Sequence, residues 1–217
     1  MSSNWDQIVA AMRERAQGMH QGREAGLQKC RALIQTSSKC IRHVHRHQFP
    51  EADALLVDAK KLAKEAREAL APYPELYHAG FLHDAEKEMV EAAGVLAIVR
   101  GELYPTADEL GVATMAYLNG MGEAASEVRR FALDEMRKGL LEEAERILGL
   151  MEGIYDELIS FDYPDGMTGG LRRTCDALRP VIERTRSDLT ASVTQHALVK
   201  ELRETRERLE SGERRPT

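Results

Sequence analysis

The stretch HDAEKEMVEAAGVLAIV, residues 83–99, decides the fold because its apolar residues suit a helix that neighbours cover on more than one side. From Met89 to Val99 every residue is apolar or glycine except Glu91. With about 100° of rotation per residue, Val95 and Ile98 fall on the same side of this helix as Glu91. Glu91 is therefore expected inside the protein, where an unpaired charge would be costly.

The rest of the chain continues this helical pattern. Charged residues make up 30% of the 217 residues and aromatic residues 5%, which favours long helices over a sandwich or barrel. Proline and glycine divide the chain into pieces without strand-like alternation. Helices are expected at residues 4–47, 51–70, 75–100, 113–138, 140–160 and 168–209, with a short turn at TADEL that Thr106 caps. The sequence predicts an all-α bundle, one domain over 1–217, with a frayed tail at 210–217.

Charge and cysteine content exclude several classes of protein. The formal net charge of -6 argues against a protein that coats nucleic acid over its whole surface, but it leaves room for one basic face. Cys30, Cys40 and Cys175 are odd in number and widely spaced, which favours reduced thiols over a disulfide framework. No apolar stretch reaches the roughly 18 residues of a membrane span. A cytoplasmic protein is expected.

Four glutamates are candidates for a metal site. Glu88 and Glu91 lie on one face of the helix described above, and Glu123 and Glu127 are four residues apart on the helix formed by MAYLNGMGEAASEVRRFALDEM, residues 115–136. If these helices are antiparallel neighbours, the four carboxylates meet in one hollow. Hard divalent cations such as Mg²⁺ or Mn²⁺ prefer such oxygen ligands. The alternative is a solvated acidic face that pairs with Lys87, Arg129 and Arg130.

The first helix carries the opposite charge. From Ala25 to Pro50 the chain has no Asp or Glu. Basic residues recur there in steps of three or four, with Gln35 between them, and form one stripe: Arg31, Lys39, Arg42 and Arg46. Such a stripe could follow a phosphate backbone. It could equally belong to a surface helix that pairs with acids elsewhere, such as those of EADALLVD at residues 51–58.

Several stretches, in this order, resemble translin and its paralogue translin-associated factor X. They are SSKCIRHVHRHQ (37–48), KEMVEA (87–92), LYPTADELGV (103–112), AYLNGMGEAASEVRR (116–130) and LRRTCDALRPVIERTRSDL (171–189). The resemblance covers about residues 24–190. It implies a translin-like bundle of about seven helices and a closed, shell-like homo-oligomer, often an octamer, that takes in single-stranded RNA or DNA.

The resemblance also implies roles for the acids. KEMVEA is similar to the motif that supplies two catalytic glutamates in factor X, the metal-dependent endoribonuclease of the family, and this places those roles on Glu88 and Glu91. The third family carboxylate is an aspartate, and the matching residue here is Glu123, which keeps the charge but is one methylene longer. Glu127 matches a nearby family glutamate that is a further candidate ligand.

The predicted function is therefore a metal-dependent endoribonuclease that acts on single-stranded RNA inside a closed homo-oligomer, with Mg²⁺ or Mn²⁺ as cofactor. The basic stripe would hold the RNA backbone. Two alternatives stay open at this point. One is a translin-like protein that binds single-stranded RNA or DNA without cutting it, and the other is a scaffold bundle whose basic stripe is buried in an oligomer contact.

Overall fold

The computed structural model describes residues 3–211, and every regular element in that range is a helix. The long helices are α1 (Asn4–His45), α2 (Phe49–Leu70), α4 (Phe81–Arg100), α6 (Thr114–Glu127), α7 (Arg129–Lys138), α8 (Leu141–Leu158) and α10 (Leu171–Ser211). The single turns are α3 (Pro74–Tyr77), α5 (Ala107–Leu110) and α9 (Asp165–Thr168). The predicted all-α bundle is confirmed. No helix between residues 3 and 211 is long and apolar enough to cross a membrane.

Helix α4 lies at the centre of the bundle and contributes to both large parts of the core. Every residue from Ala92 to Val99 is buried. The first half of α4 shares a core cluster with α1 and α2 around Leu33 and Leu70, and its second half shares another with residues of α1, α6, α7, α8 and α10 around Ile147. A helix that is apolar on all sides is stable only when neighbours surround it, and the expectation of a helix covered on more than one side is confirmed.

Helices α1 and α2 form an antiparallel hairpin beside α4. Near the open end of the hairpin, a Cβ atom placed on Gly26 would lie 2.5 Å from the Leu70 side chain, so a glycine allows the two helices to approach closely. Near the turn, the Cys40 thiol donates a hydrogen bond to the Ala52 carbonyl oxygen over 3.4 Å. Helix α1 extends beyond this hairpin, and its first turns expose Trp5 and other apolar side chains.

Helices α4 and α6 run in the same direction, so the expectation of an antiparallel pair was wrong. A Cβ atom placed on Gly120 of α6 would lie 2.6 Å from the carbonyl oxygen of Lys87 on α4. About two turns later on α4 and one turn later on α6, a Cβ atom on Gly94 would lie 2.8 Å from Cβ of Ala124. The connection at residues 101–113 permits this arrangement, because at about 3.3 Å per residue it can return along the roughly 30 Å of α4.

Two predicted helices are interrupted. The helix expected at 75–100 breaks at Gly80, whose φ of 98° does not continue a right-handed helix. The helix expected at 113–138 divides at Val128, where ψ is -10° although the amide still bonds to the Ala124 carbonyl oxygen. The predicted cap at TADEL is confirmed, since the Thr106 side chain accepts a hydrogen bond from the Glu109 amide.

The C-terminal helix α10 changes character along its length. Its first half packs against α6, α7 and α8, and it buries Leu171, Cys175, Leu178, Ile182 and Leu189. Beyond residue 195 its apolar side chains are exposed. The expected frayed tail at 210–217 lies outside the described residues apart from its first two positions, which are helical.

The cysteines pack as apolar side chains. Cys30, Cys40 and Cys175 are buried and form no disulfide. Burial raises the pKa of the Cys30 and Cys40 thiols to about 11. At neutral pH these thiols stay protonated and are poor nucleophiles.

Candidate metal centre

Three of the four predicted glutamates come together between α4 and α6. Glu88 and Glu91 are one turn apart on α4, and Glu123 faces them from α6. Each of these residues offers a carboxylate oxygen, and these oxygens all lie within 4.8 Å of one another. The close contacts at Gly94 and Gly120 hold the two helices near enough for this arrangement. We call these three residues the acidic cluster.

Burial and like charge act together on the acidic cluster. Burial raises the pKa of Glu91 to about 8, with further increases from the charges of Glu88, Glu123 and Glu127. Burial also raises the pKa of Glu88, and the neighbouring charge of Glu123 adds to the effect. Without a bound cation, Glu91 therefore keeps its proton at neutral pH. The lone carboxylate in the apolar run is thus a partly buried acid that is neutral in the metal-free protein.

Glu127 lies beside the acidic cluster and has a partner of its own. Its Oε1 atom is 2.7 Å from Nε2 of His45, and only 3% of the His45 side chain is exposed. His45 belongs to α1, so this hydrogen bond joins the basic helix to the helix that carries Glu123. The prediction that Glu127 is a metal ligand stays a prediction.

Lys87 places a positive charge at the edge of the acidic cluster. Its Nζ atom donates a hydrogen bond to Oε1 of Glu123 over 2.7 Å. Burial alone would lower the pKa of Lys87, but this hydrogen bond and the charges of Glu123, Asp84 and Glu88 raise it above its ordinary value. Lys87 therefore remains charged and offsets part of the negative charge of the cluster.

The chemistry of the acidic cluster suits a hard divalent cation. All three donors are carboxylate oxygens, which Mg²⁺ and Mn²⁺ prefer, whereas no cysteine or histidine belongs to the group. The partial burial of all three side chains leaves the carboxylates incompletely solvated, so a cation would relieve their mutual repulsion. The residues present thus fit a metal ion.

The basic stripe of α1 faces solvent. Arg31, Lys39, Arg42 and Arg46 are exposed, and they lie opposite the face of α1 that buries Leu33 in the core. No carboxylate of residues 3–211 lies within ion-pair distance of these four side chains. The alternative in which the acids of residues 51–58 neutralise the stripe is not supported, because Asp53 pairs with Arg100 instead.

Two residues of this region had no role in the predicted site. Lys87 was predicted only as an ion-pair partner in the alternative of a solvated acidic face, and no role was predicted for His45. The contact of His45 with Glu127 joins positions 82 residues apart, so no local spacing pattern signals it. Arg129, another proposed partner for the acids, binds Asp188 and Thr185 on α10.

Fold and acidic cluster together define an all-α bundle protein with a candidate divalent-cation site. Known structures share this fold. AfC3PO, from Archaeoglobus, matches with a TM-score of 0.80 and 35% identity over 87% of this chain and 98% of its own. A structure described as the AfC3PO–duplex RNA complex matches with a TM-score of 0.80 and 34% identity over 87% of this chain and 97% of its own.

Two more distant relatives also match this chain. NeC3PO, from Neurospora, matches with a TM-score of 0.76 and 25% identity over 88% of this chain and 98% of its own. The uncharacterized protein MJ0175 of Methanocaldococcus jannaschii is 29% identical over 79% of this chain and 76% of its own length. A scan of the sequence against models of protein families gives no match. C3PO is the complex of translin and translin-associated factor X, and this chain belongs to the translin family.

Proposed function

We propose that this protein is a metal-dependent endoribonuclease that acts on single-stranded RNA within a closed homo-oligomer. The observation that supports it best is the acidic cluster, in which three partly buried carboxylates meet and Lys87 forms a hydrogen bond to one of them, Glu123. RNA as the substrate class is supported by the likeness to AfC3PO, which was solved with duplex RNA. The exposed, unpaired basic stripe of α1 gives a phosphate backbone a surface to bind.

Each group of residues has its own part in the reaction. Glu88, Glu91 and Glu123 would hold the cation as ligands and not as free general bases, and Glu127 is a fourth candidate. A divalent cation held there would supply a water of lowered pKa and would offset the negative charge that develops on the phosphate. The basic stripe would hold the RNA backbone and reduce its repulsion from the acids.

The proposal is tested with a short unstructured RNA labelled at its 5′ end. We expect Mg²⁺ or Mn²⁺ to support internal cleavage and EDTA to abolish it. The double substitution Glu88→Gln, Glu91→Gln should lower the rate by more than about 100-fold, because even the loss of residues that only support metal ligands costs 10–100-fold. Glu145→Gln, which changes an exposed glutamate of α8, is the matched control and should cleave normally.

Cleavage that survives both EDTA and the double substitution would show that the assigned site is wrong. Measuring RNA binding in the same samples separates loss of chemistry from loss of binding. A protein that folds and binds RNA but no longer cuts it has lost only its metal ligands.

The second candidate is a translin-like protein that binds single-stranded RNA or DNA without cutting it. The hydrogen bond from Lys87 to Glu123 favours it, because it already neutralises one of the three acids. The longer Glu123 in place of the family aspartate points the same way. Tight, salt-dependent binding with no metal-dependent product would support this candidate.

A further inference from the structure

Lys87 donates a hydrogen bond directly to one carboxylate of the acidic cluster. Its Nζ atom lies 2.7 Å from Oε1 of Glu123, and 22% of its side chain is exposed. The ammonium group therefore sits at the boundary between the cluster and solvent. A lysine side chain can leave this position by rotating outward, because its stem has four flexible carbons.

A lysine so placed affects any cation that binds the same carboxylates. A divalent cation ligated by Glu123 must share that carboxylate with the Lys87 ammonium or displace it. Two cations held a few ångströms apart in a partly buried site repel each other strongly. Occupancy by the metal is therefore disfavoured as long as Lys87 stays bonded to Glu123.

An RNA phosphate offers Lys87 another partner. A phosphate next to the cation brings negative charge to the rim of the cluster, where the ammonium group can form a charge-assisted hydrogen bond with it. When Lys87 leaves Glu123, its contact with the phosphate replaces the lost hydrogen bond. The Glu123 carboxylate is then free to bind the metal. Metal and RNA each favour the binding of the other, as thermodynamic linkage requires.

We propose that Lys87 is a resident counter-ion of the metal site that competes with the divalent cation for Glu123 and moves to an RNA phosphate when the cation binds. The proposal rests on the metal site of the proposed function. It gives Lys87 a positioning role and makes metal affinity depend on whether nucleic acid is present. It also gives a reason for the longer side chain at position 123, because an aspartate would reach less far toward Lys87.

The test measures Mn²⁺ affinity by calorimetry, with and without an oligodeoxynucleotide that lacks the 2′-hydroxyl. We expect Lys87→Met to bind Mn²⁺ about tenfold more tightly than wild type without the oligonucleotide, since a hydrogen bond to a charged group is worth about this much. The oligonucleotide should tighten Mn²⁺ binding in the wild type and do so by a smaller factor in Lys87→Met. Lys87→Arg should stay close to wild type because it keeps the positive charge.

Lys64→Met is the matched control, because Lys64 lies on α2 and 73% of its side chain is exposed. Its ion pair with Glu68, at 3.9 Å, lies on the surface. Lys64→Met should leave Mn²⁺ affinity unchanged. Thermal melting confirms that each variant is folded, and Lys87→Gln replaces Lys87→Met if the latter is not.

Unchanged or weaker Mn²⁺ binding in folded Lys87→Met and Lys87→Gln would overturn the counter-ion role while the metal site stands. If neither the wild type nor any variant binds Mn²⁺, the metal site itself is wrong and the counter-ion role falls with it. If Lys64→Met also binds Mn²⁺ more tightly, the effect comes from the net charge of the protein and not from the position of Lys87. That result would also overturn the inference.

Discussion

Among the three residues of the acidic cluster, Glu91 is the one on which burial and neighbouring negative charges act most strongly. Its pKa is raised to about 8, chiefly by burial. In the unfolded chain a glutamate titrates near its ordinary pKa of about 4.3. Between these values the folded state binds the proton that the unfolded state has lost, so the stability of the metal-free protein falls as pH rises. The stabilising contribution is fully present below the unfolded pKa and is lost by about pH 8.

This fall in stability with rising pH gives a prediction for Glu91→Gln, whose neutral amide resembles the protonated side chain at every pH. In EDTA, the melting temperature of the wild type relative to that of Glu91→Gln should fall between pH 5 and pH 9. Glu145→Gln, at an exposed position, should follow the wild type. Parallel curves for wild type and Glu91→Gln would mean that Glu91 is ionised in the folded, metal-free protein.

At the scale of helices, Gly120 controls how closely α4 and α6 approach. A Cβ atom there would lie 2.6 Å from the backbone oxygen of Lys87, and backbone cannot move aside as a flexible side chain can. Gly120→Ala should therefore destabilise the fold by about 1–3 kcal/mol, the usual cost of overpacking. It should also weaken Mn²⁺ binding, because the helices that carry the acids must separate.

Gly149 provides the matched control for this prediction. It lies inside α8, and nothing stands within 4 Å of the position that its Cβ would take. Gly149→Ala should stabilise the protein by about 0.4–1 kcal/mol through the lower entropy of the unfolded chain. Urea unfolding measures both changes, and equal effects of the two substitutions would contradict the close contact at Gly120.

The basic stripe of α1 gives a prediction about salt. If its side chains bind phosphates, Lys39→Gln and Arg42→Gln should each weaken RNA binding and lower the slope of log K against log salt by about 0.7. Lys64→Gln on α2 should change neither quantity. Fluorescence anisotropy over a range of salt concentrations measures the slopes, and slopes unchanged in all variants would place the RNA elsewhere.

At the scale of the whole molecule, two helical ends remain uncovered. The first turns of α1 expose Trp5 and Met12, and the second half of α10 exposes Leu198, Leu202 and Leu209. Apolar side chains exposed in rows on two long helices are typical of surfaces that bind another protein chain. By family resemblance we expect a closed homo-oligomer, an octamer, in which the basic and acidic residues of several chains face one enclosed space.

Light scattering tests this expectation directly. The protein should elute with the mass of a closed oligomer at micromolar concentration. Leu198→Glu combined with Leu202→Glu should produce smaller species without changing the helical content, because these side chains do not contribute to the core of their own chain. A stable monomer that still cleaves RNA would remove the enclosed space from the mechanism.

Much of the fold follows from the sequence. The apolar run from Met89 to Val99 has to be surrounded, and proline and glycine mark most of the helix ends, so an all-α bundle follows from hydrophobic burial alone. The breaks at Gly80 and Val128 were not predicted, because they depend on how the preceding and following helices pack. The acids at positions 88, 91 and 123 were found because helical spacing groups Glu88 with Glu91 and Glu123 with Glu127, and the family resemblance then gave roles to Glu88, Glu91 and Glu123.

By itself the sequence determined most of the helices, the partly buried position of Glu91 and the segregation of basic from acidic residues, since each depends on spacing along one helix. The tertiary structure decided the parallel direction of α4 and α6, the bond from Lys87 to Glu123 and the contact of His45 with Glu127. These features join residues 36 and 82 positions apart. The approach of α4 to α6 depends on close contacts at Gly94 and Gly120. Helical periodicity carries no information about which helices become neighbours or in which direction they run.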